Sequence, residues 1–314
     1  MGRSKRLRMV KLKDFFNLIR YKNLLIIVLT QYLIRYTLLI PFLDFLSLNE
    51  TQFVLLVFST ILVAAAGYII NDYFDIKVDQ LNDRKVIIGN SIKRREAIIL
   101  HFLLSGIGVG LGFILAWQVG IWNLGLINLF SASILWLYST HFKRSYLIGN
   151  LLIALLSALV LIIVGVYDIL PNASLNLANA ATIFKIICLY AMFAFFTTLI
   201  REIIKDLEDL KGDQKMGYQT FAIVSGLTNA KQTVNILSLL TIIGLCWIMY
   251  TQFLTDIFAF FYVLFFIFFP FVIFILKLRK AAYSKDFRLL STLVKVIMFT
   301  GTLSMLVFSL LIRL

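Results

Sequence analysis

Nine of the sixteen acidic residues in this 314-residue chain crowd into two short stretches, and both stretches carry one spacing. The first runs Asn71-Asp72-Tyr73-Phe74-Asp75-Ile76-Lys77-Val78-Asp79, with Asp83 close behind. The second runs from Arg201-Glu202 through Lys205-Asp206-Leu207-Glu208-Asp209 to Gly212-Asp213. Each contains Asp-x-x-Asp-x-x-x-Asp: Asp72, Asp75 and Asp79, then Asp206, Asp209 and Asp213. On an α-helix those offsets fall within an arc of about 60°, at about 100° per residue. Three carboxylates that close repel one another unless a cation sits among them. Oxygen ligands without Cys or His suit Mg²⁺, Mn²⁺ or Ca²⁺. Mg²⁺ keeps waters and bridges a few carboxylates to phosphate oxygens. Two such sets, each with its own Mg²⁺, would clamp a diphosphate and help it leave the carbon that bears it. Merely solvated loops have no reason to repeat this spacing twice, each time beside an apolar run.

Basic side chains near the clusters complete a phosphate site. The candidates are Lys77, Arg84, Lys143, Arg144, Arg201 and Lys205, with Asn71 adding an amide and Tyr138 a phenol. Arginine offers phosphate a bidentate fork and lysine a point charge. For each of these the plainer role is a topology signal or an interfacial aromatic. Glu208 lies on the opposite helical phase from Asp206, to orient a lysine or to face solvent. Cys188 and Cys246 are read as packing residues and His101 and His141 as packing or surface residues, since no Cys/His group has zinc spacing.

The elements that hold these residues are apolar. The chain is 61% hydrophobic and only 15% charged, with a mean hydropathy of +0.93. Soluble domains are roughly 45–50% apolar and about 25% charged, so a bilayer is the expected solvent. Nine spans are predicted: 24–43, 53–70, 97–117, 121–139, 148–168, 181–200, 233–250, 254–276 and 293–312. In lipid each must satisfy its own backbone, so each is a helix. The net charge of +14 does not point to nucleic acid, because its placement follows the loops. Residues 1–22 hold eight Lys and Arg, and loops 71–96, 140–147, 201–232 and 277–292 hold eighteen more. The alternate loops 44–52, 118–120, 169–180 and 251–253 hold none. That alternation predicts a cytoplasmic N-terminus and an external C-terminus. Residues 1–22 form a basic, partly amphipathic segment expected to lie on anionic lipid, with no cleavable signal. Residues 23–314 form one transmembrane domain.

The same residues resemble the UbiA superfamily of intramembrane prenyltransferases. The match runs through Asn71-Asp72-x-x-Asp75-x-x-x-Asp79, then Arg84 and Gly89. It continues through Tyr138-Ser139, Lys143-Arg144 and Gly149-Asn150, and through Arg201-Glu202 to Gly212-Asp213, Gly217 and Thr220. Arg20 and Asn23 match a short signature before the first helix. Lys85 and Ala222 depart from it, each standing where the family commonly has proline. The resemblance implies an all-α bundle of nine transmembrane helices around a central cavity, capped by cytoplasmic Asp-rich loops. It implies Mg²⁺-assisted ionisation of an isoprenyl diphosphate and attack by a lipophilic acceptor on the allylic cation. The six aspartates would be its catalytic metal ligands, and the protein would sit in a prokaryotic inner membrane. The acidic segments are similar to the branch that alkylates geranylgeranylglycerol phosphate with geranylgeranyl diphosphate. Aromatic acceptors of the quinone, haem or chlorophyll pathways are the alternative. A secondary transporter would place its acids nearer the midplane, where Arg35 and Lys185 lie. A CDP-alcohol phosphotransferase would need Gly and Ala-Arg after the first Asp pair.

Overall fold

The computed structural model describes residues 12–82, 84–175, 177–252 and 257–312. Asp83 and the first half of the basic N-terminal segment, residues 1–11, lie outside the described residues. Among the described residues the chain is helical throughout, apart from short turns and one isolated bridge between Ile88 and Ile92. The helices are α1 (Tyr21–Leu33), α2 (Glu50–Leu81), α3 (Arg94–Gln118), α4 (Gly125–Thr140) and α5 (Ile148–Ile169). They continue as α6 (Leu177–Lys215), α7 (Phe221–Gln252), α8 (Ile257–Lys280) and α9 (Ser284–Ile312). Seven of them, α2, α3 and α5 to α9, are long and apolar enough on their own to cross a bilayer. The stretches expected to span at 24–43 and 121–139 form shorter helices. Helix α1 passes into a π turn at Ile34–Leu39, and α4 has 16 residues. Exposed Trp117, Trp247, Phe258 and Tyr283 would be a liability in water and suit contact with lipid.

The described chain forms two compact units. The first runs to Leu29 and resumes from Ser47 to Lys143. Helix α2 is its centre and packs on α3 and α4. Asn49 starts α2 with a capping box: its side chain accepts from Gln52 N–H, and Gln52 accepts from Asn49 N–H, both at 2.9 Å. Close packing depends on small residues, since a Cβ on Gly67 would stand 2.7 Å from Leu135.

The second unit comprises Thr30–Leu46 and Arg144–Leu314. Helix α6 is its spine and packs on α5, α7 and α9. Pro270 in α8 cannot donate to the carbonyl one turn back. A π turn at Leu264–Phe268 precedes it, and Thr300 Oγ1 donates to the Phe266 carbonyl at 2.8 Å. Arg35, in the other π turn, pairs with Asp168 of α5 at 2.6 Å, and both side chains are buried. Cys246, expected to pack, is exposed on α7, whereas Cys188 is half-buried.

Candidate active site

The first carboxylate set sits on the overhang of α2. That helix has 32 residues, about 48 Å at 1.5 Å each, against a hydrocarbon core of about 30 Å. Asp79 in its last turn meets the negative end of the helix dipole, and the three carboxylates on one face repel one another unless something compensates them. Three cations do so. Arg20 Nη2 donates to Asp72 Oδ1 at 2.8 Å. Lys143 Nζ donates to Asp75 Oδ2. Arg84 Nη1 stands 3.6 Å from Asp79 Oδ1, and the Arg84 N–H donates to the Asp79 carbonyl at 2.8 Å. The sequence pattern suggested carboxylates awaiting a cation, whereas in the fold each already has one from a side chain.

Asp75 is the buried member, its side chain 7% exposed against 21% and 20% for Asp72 and Asp79. Asn71 Nδ2 also donates to Asp75 Oδ2, at 2.7 Å, and Lys143 Nζ lies 3.3 Å from Asn71 Oδ1. Burial alone would push the Lys143 ammonium toward neutrality. The charge and hydrogen bond of Asp75, with Tyr138 and Asp79, together outweigh that and raise its affinity for the proton. Arg20 follows the same logic, burial opposing and Asp72 prevailing. Its guanidinium also lies 4.9 Å from the Tyr68 ring centre. The Arg20 backbone has φ +51°, a conformation that costs an L-residue about 1–2 kcal/mol.

The second set lies on the corresponding overhang of α6, a helix of 39 residues. Asp206 accepts from Asn150 Nδ2 at 2.9 Å. Asp213 is buried in the last turns, where Gly217 at φ +71° ends the helix and Tyr218 N–H closes on the Asp213 carbonyl at 3.0 Å. Buried Glu202 accepts from Arg201 Nη1 at 3.0 Å and from Lys205 Nζ at 2.7 Å, so two expected phosphate ligands are held by one acid. Glu208 pairs with Arg288 Nε at 3.0 Å. Arg144 lies 5.1 Å from the Tyr218 ring centre, and its carbonyl accepts from Gln219 N–H. Asp209 is half-buried on the same helix.

Other expectations meet a plainer outcome. Lys77 is exposed, on the side of α2 away from Asp75 by helical phase. Tyr138 interacts electrostatically with Lys143, which places it beside the first set. His101 is buried against the Ala66 carbonyl at 2.9 Å and beside Trp136, as a packing residue would be. Among the described residues no three His, Cys, Asp or Glu side chains form a closed metal shell. Arg20, Asn150 and Glu202 were visible in the motifs, but not as partners. Their roles depend on contacts 52 and 56 residues apart in sequence, or on burial.

A family model described as the UbiA prenyltransferase family matches residues 24–303. The chain belongs to that family. It is 33% identical over 178 residues to a digeranylgeranylglyceryl phosphate synthase of Methanobrevibacter smithii, covering 56% of this chain and 59% of that one. A synthase of the same name from Korarchaeum cryptofilum is 34% identical over 183 residues, again across 59% of its length. The matched stretch thus spans about three-fifths of these relatives. A solved digeranylgeranylglyceryl phosphate synthase superposes with a TM-score of 0.65 at 25% identity, covering 97% of this chain and 99% of that one. A UbiA homologue from Archaeoglobus fulgidus, bound to GPP and Mg²⁺, has the same fold with a TM-score of 0.54 at 15% identity, over 93% of this chain and 99% of that one. Both carboxylate sets fall inside the UbiA match. Arg20, which holds Asp72, falls just before it.

Proposed function

We propose that this UbiA-family chain is an integral membrane enzyme that moves a prenyl group from an isoprenyl diphosphate to a lipophilic acceptor, with Mg²⁺. The observation that carries the reading is the placement of two identically spaced carboxylate sets on the C-terminal stretches of two long helices, each set interlaced with cations or amides. The ligand chemistry fits Mg²⁺, which takes one or two carboxylates with waters and phosphate oxygens and needs no closed protein cage. The catalytic and metal-binding residues would be Asp72, Asp75 and Asp79 for one ion, and Asp206, Asp209 and Asp213 for a second. Arg84, Lys143, Arg201 and Lys205 would face diphosphate oxygens, with Asn71, Lys77, Tyr138 and Arg144 as further candidates.

Bound Mg²⁺ would supply neutralisation of the leaving diphosphate. The chain's residues do the rest. Lys143, kept protonated by Asp75, offers a fixed positive charge to the same oxygens. Glu202 holds Arg201 and Lys205 in place before substrate arrives, which lowers the cost of ordering them on binding. The C1–O bond of the prenyl diphosphate breaks with its electron pair on the diphosphate. An acceptor oxygen forms the new C–O bond and releases its proton. The digeranylgeranylglyceryl phosphate synthase relatives support geranylgeranyl diphosphate as donor and geranylgeranylglycerol phosphate as acceptor.

The proposed topology has nine spans in one domain over residues 23–314, with α1 plus its π turn and α4 adding to the seven long helices. The N-terminus and both carboxylate sets would be cytoplasmic and the C-terminus external, in a prokaryotic cell membrane. A competition assay tests the acceptor. Purified protein given geranylgeranyl diphosphate, Mg²⁺ and equal amounts of geranylgeranylglycerol phosphate and 4-hydroxybenzoate should alkylate the glycerol. Product only on the aromatic ring would overturn that acceptor.

A further inference from the structure

Residues 12–18 form a short helix with two distinct faces. Leu12 and Phe16 point out, whereas Asp14 and Leu18, one turn apart, are 3% and 0% exposed. Leu18 packs into a cluster with Ile69 of α2 and with Ile87, Ile88 and Ile92 of the turn that follows α2. Asp14 sits above that turn and spans it. Its Oδ1 accepts from Lys85 Nζ at 2.5 Å and its Oδ2 from Ser91 Oγ at 2.5 Å. Lys85 and Ser91 are the two ends of the turn, which is closed inside by Gly89 N–H on the Ile92 carbonyl and Ser91 N–H on the Ile87 carbonyl.

One carboxylate therefore staples both ends of the turn. The residue next to Lys85 is Arg84, the cation of Asp79. Six residues after Asp14 comes Arg20, the cation of Asp72. The segment thus grips the first carboxylate set at its start through Arg20 and at its finish through the Lys85 turn. Lys85, noted above as a departure from the family's proline, is the residue Asp14 uses.

We infer that Asp14 is a positioning residue for the first carboxylate set, acting through Lys85 and Ser91 to hold Arg84 over Asp79. This inference rests on the prenyl-transfer reading. Asp14 lies outside the matched family segment and touches none of the six aspartates.

The test uses the full chain in lipid nanodiscs, with variants Asp14→Asn and Lys85→Met. Lys85 is two-thirds exposed, so its replacement carries little risk to folding. Two readouts are taken: hydrogen exchange over residues 84–92, and kcat and KM for geranylgeranyl diphosphate with Mg²⁺. Losing a charge-assisted hydrogen bond corresponds to about a ten-fold effect. Both variants should speed exchange over the turn and raise KM about ten-fold, with kcat within about two-fold. The charge swap Asp14→Lys with Lys85→Asp should recover part of the loss. In an active wild-type background, unchanged KM or unchanged exchange over 84–92 in both variants overturns the inference. Wild-type protein that transfers no prenyl group would sink the functional reading instead, and the exchange measurement keeps the two failures apart.

Discussion

Asp75 and Lys143 form the most buried contact of the first set, and they set the sharpest expectations for single residues. Replacing Asp75 with Asn keeps the shape and removes the charge. Transfer should fall at least about 10²-fold, the scale of losing a preorganised charge contact to a reacting group. The check is initial rate at saturating Mg²⁺, with retained size-exclusion behaviour as the folding control. Asp14 gives a prediction in pH. Hydrogen bonds from Lys85 and Ser91 hold its carboxyl below the usual aspartate value, with Lys13 adding charge. A depressed folded value means that its contribution is present above the ordinary aspartate range and lost as pH falls below it. Proteolysis near the N-terminal segment should therefore hold steady through mild acid and accelerate only below about pH 4 in wild type, and that acceleration should be absent in Asp14→Asn. At this scale the six aspartates were legible because spacing alone puts each set of three on one face of its helix. Their partners were not. Arg20 and Asn150 reach across many residues of chain, and nothing local marks Asp14 as buried.

Helices bring their own logic. Two of them, α2 and α6, are longer than the bilayer core and carry acids along their C-terminal turns. Overlong apolar helices are visible in a sequence, but their continuation through charged residues is not, because propensity and patterning both weaken there. The π turns were illegible for a different reason. The one before Pro270 follows from a missing donor, yet its repair by Thr300 belongs to another helix. The one at Ile34–Leu39 carries Arg35 into a fully buried pair with Asp168. Arg35 was noticed as a midspan charge, which alone suggested transport. Asp168 supplies its partner. Removing one member of a buried pair costs about 3–5 kcal/mol, whereas replacing both with apolar residues is often close to neutral. Arg35→Leu should thus lower the unfolding temperature clearly in detergent, and Arg35→Leu with Asp168→Leu should recover most of the loss.

Across the whole molecule, composition and the alternation of basic loops read as a helical membrane protein, and the seven long helices bear out the helical membrane fold. Spans 24–43 and 121–139 were harder. Each is mostly apolar, but α1 passes into a π turn and α4 stops at 16 residues. Orientation is an expectation of the charge pattern, and single cysteines added at Lys93 and Gln118, the two ends of α3, test it. A membrane-impermeant maleimide added to intact cells should label the Gln118 position and spare the Lys93 position.

The central claim is that the two carboxylate sets together drive Mg²⁺-dependent prenyl transfer. The direct measurement is turnover of labelled geranylgeranyl diphosphate with geranylgeranylglycerol phosphate by the purified chain, with Mg²⁺ or with EDTA, in wild type, Asp75→Asn and Asp209→Asn. Wild type should release one diphosphate per ether formed with Mg²⁺ and none with EDTA, and either variant alone should lose the activity. Undiminished transfer in EDTA, or in either variant, would contradict it.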